Sequence, residues 1–305
     1  MVGNRNIFTK MLNLVSLRFG YAREARRFRK LLERHNASWR TRNCREKMEY
    51  SIARQAHTIE KGMSLRFTRP GFGAAKVAHL REDTEHYRNR YGETPFLQKI
   101  STTLECYRKF LQDGDSYSSG CVITLKAESV RKAAAGNFRE LLTSRHSIRC
   151  FAGAPSHDLI NEALEMATLT PSACNRQAWH TRIYEGDKAR ELLRWQDGAR
   201  GFEDEIPTAI LVSADLRGFL SYEAHQAWVD GGMYACNLLN SLHSLGLGTI
   251  PLSCAFDSRK LRRLADFGLP ENEVPIVIIG TGELEDEFKV ALSERKETSQ
   301  TNEWM

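Results

Sequence analysis

The sequence predicts an α+β protein, helical in its first half and alternating between helix and strand in its second. Three observations carry this. Apolar residues recur at helical spacing through most of the first 112 residues. Two later runs, 209–214 and 274–280, are continuously apolar, the pattern of strands buried on both faces. Charge divides the chain at the same place: residues 1–140 carry 28 Lys+Arg and 14 Asp+Glu, residues 141–305 carry 16 and 24, so the net charge of +6 conceals a basic half and an acidic half. A chain of 305 residues, 41% hydrophobic, buries a core without disulfide or metal staples, which excludes collagenous, disordered and mini-protein classes.

Taken in order, Ala22, Ala25, Phe28 and Leu32 form one helical stripe among arginines, and Cys44, Met48, Ile52, Ala56, Ile59 and Met63 form a second, with Gly62 marking its end. Pro70-Gly71 places a loop over 64–73, followed by helices over 74–91 and 95–112. The small polar tract 113–120 is the linker, giving two domains, 1–120 and 121–305. A helix over 128–143 leads into the second. Ser156 caps a helix carrying Leu159, Ile160, Ala163, Leu164 and Ala167, with Pro171 beyond its end. Residues 180–184 read as a strand, and 228–245 as a helix apolar all round, closed by Gly246. No repeat of 20 to 50 residues is visible.

Three segments carry chemistry. In Arg145-His146-Ser147-Ile148-Arg149-Cys150-Phe151, two guanidinium groups and a hydroxyl alternate, which suits a terminal phosphate; a solvated basic strip is the plain alternative. In Pro171-Ser172-Ala173-Cys174-Asn175-Arg176-Gln177-Ala178-Trp179, a hydroxyl and two carboxamides occupy a turn, which suits a flat heteroaromatic ring or a self-bonded polar turn. The third, Leu245-Gly-Leu-Gly-Thr-Ile-Pro251-Leu252-Ser253-Cys254, runs from the apolar helix into an extended segment where glycines admit a ligand to the backbone. Gly246 and Gly248 follow a helix and lack a third glycine, so a Rossmann fingerprint fails on context.

Together the three segments resemble the motifs of the nitroreductase family of FMN-dependent oxidoreductases, in order and spacing, from Arg145 to the C-terminus. The resemblance implies a nitroreductase-like fold, with a central mixed, mostly antiparallel sheet flanked by helices, plus a helical N-terminal region outside it. It implies FMN as cofactor, NAD(P)H as reductant and ping-pong hydride transfer to an organic acceptor, nitroaromatic or quinone-like, or an intermediate of a biosynthetic pathway. It also implies a homodimer with FMN at the interface and residues 228–245 at its core. By position, Arg145, Ser147 and Arg149 hold the phosphate with His146 beside them. Asn175 meets the ring, Ser172 and Gln177 support it, and Pro251, Leu252 and the amides near Ser253 and Cys254 approach flavin N5. Arg295, with Lys296 second, completes the phosphate site. Asn175, Ser253 and Cys254 are the candidate catalytic positions. Ala178 replaces a usual proline, Ser253-Cys254-Ala255 replaces an acidic-plus-glycine pair, and the segment 197–205 is short where relatives have a longer excursion over the flavin.

Seven scattered cysteines, without Cys-x-x-Cys or zinc spacing, indicate neither metal nor disulfides and a cytoplasmic chain. Residues 7–19 are interrupted by polar groups, and no run approaches the ~18 apolar residues of a membrane span. His57 and Glu60 share a helix face as a hydrogen-bonded pair with no third ligand, so no metal site is expected. The segment 57–73 faintly resembles the N-terminal extension of nitroreductase-like proteins of surface-polysaccharide biosynthesis. The basic N-terminus supports a second class of reading, a non-catalytic flavin- or partner-binding protein whose first module contacts anionic lipid, nucleic acid or an acidic partner. Docking of the basic module on the acidic one is the favoured use of the charge.

Overall fold

The structure is a computed structural model that describes residues 45–68, 71–114, 118, 120–219, 223, 225–256 and 258–305. The stripe at Ala22–Leu32, the cationic surface of residues 7–34, Cys44 and half of the 113–120 tract lie outside the described residues.

Three helices come first, α1 (Arg45–Met63), α2 (Ala74–Tyr91) and α3 (Pro95–Asp113). The apolar stripe of α1, Met48, Ile52, Ala56, Ile59 and Met63, is buried against Val77, Leu80 and Tyr87 of α2 and Leu97, Ile100, Tyr107 and Phe110 of α3. Pro95 is free to open α3 because the first helical N–H has no partner in any case, and Thr94 accepts from the Leu97 N–H at 3.2 Å. Gly62 lies one residue before the end of α1 and does a packing job there: a Cβ would stand 1.7 Å from the Phe72 ring.

The second half is built on a four-stranded sheet of β2 (Trp179–Glu185), β3 (Thr208–Asp215), β4 (Leu247–Ser253) and β5 (Glu273–Glu283), in the order β2-β3-β5-β4. All three pairings are antiparallel. A separate antiparallel pair joins β1 (Val122–Lys126) to β6 (Glu287–Ala291). The sheet's mixed character reduces to one parallel bridge, Ser147 to Thr249. Strand β3 is buried from Thr208 to Ala214, which explains an apolar run interrupted only by Ser213.

The expected helix over 128–143 is two, α4 (Ala127–Ala134) and α5 (Phe138–Ser144). The break is chemical: the Asn137 side chain accepts from the Arg139 and Glu140 N–H groups, and Glu140 accepts in return from the Asn137 N–H. Helix α6 (His157–Ala167) begins at Ser156, whose hydroxyl accepts from the Leu159 N–H, and α7 (Gly186–Gln196) follows β2. Helix α8 (Gln226–Ser244) lays Tyr234, Ala235, Leu238 and Leu242 on Ile210 and Val212 of β3 and Ile279 of β5, with Ile160, Ala163 and Ala167 of α6 completing the cluster. A short α9 (Ser258–Arg263) precedes β5.

The helix expected to be apolar all round leaves one face uncovered in the single chain. Trp228, Val229 and Met233 are 43%, 50% and 41% exposed on its outer face. No helix among the described residues is long and apolar enough to cross a membrane. The basic and acidic halves meet through Arg66, paired with Glu205 at 3.2 Å and Glu285 at 2.5 Å, and through Lys99, paired with Glu294 at 3.4 Å.

Candidate functional site

The chain leaves α5 in an extended segment that runs beside β4. Ile148 N–H donates to the Thr249 carbonyl at 3.0 Å, so the first and third motifs, a hundred residues apart, become neighbours. Next to this bridge lies a cavity of about 760 Å³. Arg145, His146 and Ser147 form one wall and the tail carrying Arg295 and Lys296 another, while α1 and α3 close it with His57, Glu60, Lys99 and Thr103. Within that wall Glu60 accepts from Thr103 at 3.0 Å and stands 3.8 Å from His57 Nδ1.

Arg145 is the telling residue of this cavity. Its Nη1 is buried with no hydrogen-bond partner, and it forms no ion pair among the described residues. Burial first, and then the Arg295 guanidinium, push its pKa below the ordinary arginine value. The same burial, with Arg145 and Arg295, holds the His146 imidazole below its usual value. A half-buried guanidinium and an exposed one lining the same cavity repel each other until an anion sits between them. A terminal phosphate fits that donor set, because its several oxygens and near-double charge accept from both arginines and from a hydroxyl such as Ser147.

Arg149 does not line this cavity. It is 6% exposed, donates from Nη1 to the Ser147 carbonyl at 3.3 Å, and places its guanidinium 5.9 Å from the Phe202 ring centre. Its Nε is buried without a partner, and burial lowers its pKa to about 10.

The carboxamide motif folds as a tight loop in which Cys174, Asn175 and Gln177 all adopt left-handed backbone, with φ of 52°, 52° and 48°. Left-handed non-glycine residues are strained and persist only where their surroundings impose them. Here the Ser172 hydroxyl accepts from the Gln177 N–H at 3.0 Å, and Gln177 Nε2 donates to Asn175 Oδ1 at 3.0 Å. The loop is tied to α8 by Asp230, which is 2% exposed and accepts from the Ala173 N–H at 3.1 Å. Arg176 adds a two-pronged pair to Glu223 at 2.6 and 2.8 Å. Asn175 and Gln177 themselves are exposed.

At the end of β4, Pro251 and Ser253 are exposed and Leu252 is buried. The Ser253 carbonyl accepts from Gln196 Nε2 at 2.9 Å. Burial pushes the Cys254 thiol up to about 12, so it stays protonated at neutral pH. The glycines of this motif serve the fold instead of admitting a ligand. Gly246 takes a φ of 82° to end α8, and a Cβ on Gly248 would press on Phe151 and Leu284 at 3.0 Å.

The single chain therefore gathers Arg145, His146, Ser147, Arg295 and Lys296 at one cavity and leaves Ser172, Asn175, Gln177, Pro251, Leu252, Ser253 and Cys254 off it. Helix α8 measures the separation. Asp230 near its start holds the carboxamide loop, while His243 near its end hydrogen-bonds Ser144 at 2.8 Å beside the Arg145 segment. Thirteen residues of rise place these helix positions roughly 20 Å apart. Sequence reasoning missed Asp230, Glu223, Gln196 and His243; an aspartate inside an otherwise apolar helix was the available signal.

Comparison with known proteins covers the same half of the chain. A sequence model of the nitroreductase family matches residues 142–196 and 186–283. A protein of Archaeoglobus fulgidus, provisionally named NADH dehydrogenase/NAD(P)H nitroreductase, is 30% identical over 154 residues, 48% of this chain and 86% of that protein. An NADH dehydrogenase of Thermus thermophilus is 26% identical over 171 residues, 45% of this chain and 82% of that protein. Among solved structures, a provisionally named nitroreductase of Exiguobacterium sibiricum in complex with FMN aligns with a TM-score of 0.48 at 17% identity, over 56% of this chain and 98% of that one. The matched motifs, the antiparallel sheet and the identity across most of the Archaeoglobus protein establish that this chain belongs to the nitroreductase family, a family that uses FMN.

Proposed function

We propose that the chain is an FMN-dependent oxidoreductase that passes hydride from NAD(P)H to an organic acceptor in ping-pong fashion, as a homodimer whose flavin sites are shared between protomers. The observation that carries this reading is the half-buried Arg145, whose Nη1 is buried without a partner, lining one cavity with Ser147 and Arg295, a donor set suited to a phosphate. Arg145, Ser147, Arg295 and Lys296 hold the phosphate. His146 stays neutral beside them and serves as a hydrogen-bonding group of the ribityl end. The partnerless Nε of Arg149 stabilises negative charge on the ring edge, a use that accounts for burying an arginine without a carboxylate. The amides of Ser253 and Cys254 orient the ring's reacting edge.

FMN, when bound, supplies the hydride chemistry; the protein supplies binding, orientation and electrostatics. Asn175 and Gln177 belong to the loop held by Asp230, a helix position roughly 20 Å along α8 from His243 beside the Arg145 segment, so in this reading they meet the ring bound by the partner protomer. The exposed Trp228, Val229 and Met233 give the two copies an apolar face to share. Nitroaromatics, quinones and biosynthetic intermediates are the acceptor classes that suit this arrangement.

The test is purification of the full chain with added FMN, followed by anaerobic titration with NADH and NADPH. A yellow protein bleached by a nicotinamide and recoloured by an acceptor supports the reading. A protein that cannot be loaded with FMN overturns it.

A further inference from the structure

Lys61 lies in the last turn of α1, far outside the residues matched by the family. Its ammonium donates to the Gly198 carbonyl at 2.9 Å. The Gly198 N–H donates to Gln196 Oε1 at 2.6 Å, and Gln196 Nε2 donates to the Ser253 carbonyl at 2.9 Å. Gln196 is 7% exposed, and both ends of its carboxamide are used in this chain of bonds. One continuous relay thus runs from the N-terminal helices to the end of β4.

Docking alone does not account for Lys61. Arg66 already joins the same surfaces through Glu205 and Glu285. Lys61, by contrast, forms no ion pair among the described residues and lies 4.9 Å over the Phe202 ring, on which the Arg149 guanidinium also rests at 5.9 Å. Burial, Arg149 and Lys76 push its pKa down to about 8, with Glu203 the one acid opposing them. A partly buried cation that carries no carboxylate is costly, and its hydrogen bond to Gly198 leads to Ser253.

We propose that Lys61 is a positioning residue for the redox end of the cofactor site, acting through Gly198 and Gln196 to hold the Ser253–Cys254 peptide. This rests on the flavin reading above for its catalytic meaning. The helical N-terminal region is then part of the active-site scaffold: removing its last-turn lysine loosens the peptide that faces the ring while leaving the phosphate end intact.

The experiment compares Lys61→Met, Lys61→Arg and Gln196→Ala in the full chain. Hydrogen exchange of amides 252–256, measured without FMN, should rise about tenfold in Lys61→Met and Gln196→Ala and return toward the parent in Lys61→Arg, which keeps a charged donor. With FMN, Lys61→Met should retain cofactor affinity within about threefold. Its relative affinity for oxidised and reduced flavin should change about tenfold, a shift of about 30 mV in the two-electron potential. Unchanged exchange at 252–256 in Lys61→Met overturns the proposal, as does an unchanged potential. A parent chain that takes no FMN defeats the flavin reading, and the exchange comparison still decides the relay. Should Lys61→Met fail to fold, Lys61→Leu, which likewise removes the donor, and Gln196→Ala, which breaks the relay at its second residue, carry the same comparison.

Discussion

Ser147 and Thr249 lie side by side in a parallel bridge, closed by the hydrogen bond from Ile148 N–H to the Thr249 carbonyl at 3.0 Å. That single contact places the arginine-rich motif along the edge of the sheet's last strand in spatial order. It turns two distant stretches of sequence into one surface, with cationic side chains at one end and the Ser253 peptide at the other.

Arg145→Ala should weaken FMN binding by about 10- to 100-fold, the range expected when a charged hydrogen-bond donor to phosphate is lost. Riboflavin, which lacks the phosphate, should bind the variant as it binds the parent. Paired fluorescence titrations with the two flavins check this, and an equal loss for both would place the phosphate elsewhere.

His243 is 3% exposed, and burial first, then Arg145, hold its pKa at about 4 against an ordinary 6.5. The native state keeps it neutral, whereas the unfolded chain takes up a proton near 6.5. Stability contributed by this site is therefore complete above pH 6.5 and falls as pH drops toward 4, by about 3 kcal/mol in all. Urea unfolding between pH 7.5 and 4.5 should steepen with acid in the parent, and that portion of the slope should vanish in His243→Gln.

Arg182 makes a two-pronged pair with Glu273 at 2.7 and 3.0 Å, and Ser213 donates to the same carboxylate at 2.5 Å. The Glu273 side chain is 5% exposed. Arg182→Met strands a buried carboxylate and should cost about 3 kcal/mol of stability by chemical denaturation, whereas replacing both partners with apolar residues should cost much less.

Charged substitution on the outer face of α8, as in Trp228→Glu with Met233→Glu, should give a monomer by sedimentation while the far-ultraviolet spectrum stays that of the parent. Flavin retention should fall with the dimer, although neither residue lines the cavity beside Arg145.

Much of this architecture is legible in the sequence because local signals and burial agree. The expected helices over 74–91 and 95–112 appear as Ala74–Tyr91 and Pro95–Asp113, and Ser156 caps its helix as its side chain requires. Strands β3 and β5 announce themselves by apolar runs that only a buried sheet tolerates. Strands β1 and β6 do not, since Val122–Lys126 and Glu287–Ala291 are short, mix charge with apolar residues, and pair only with each other. The helix expected over 128–143 hides a break that the Asn137-to-Glu140 spacing encodes. Periodicity alone aligns Arg145, Ser147 and Arg149 on one side, yet Arg149 turns to Phe202, a partner set by tertiary packing. The relay from Lys61 to Ser253 is likewise invisible in sequence, because it joins three segments whose proximity exists only once the halves have docked.

The most direct measurement mixes two crippled chains, Arg145→Ala and the double variant Asn175→Ala, Gln177→Ala. If each flavin site takes its phosphate residues from one protomer and its carboxamides from the other, each variant alone has little turnover when FMN is held just above what saturates the unmodified protein. Co-expression with random pairing then restores about a quarter of the parental sites, since half the dimers are mixed and each has one intact site. Activity no higher than the sum of the two variants would contradict a shared flavin site.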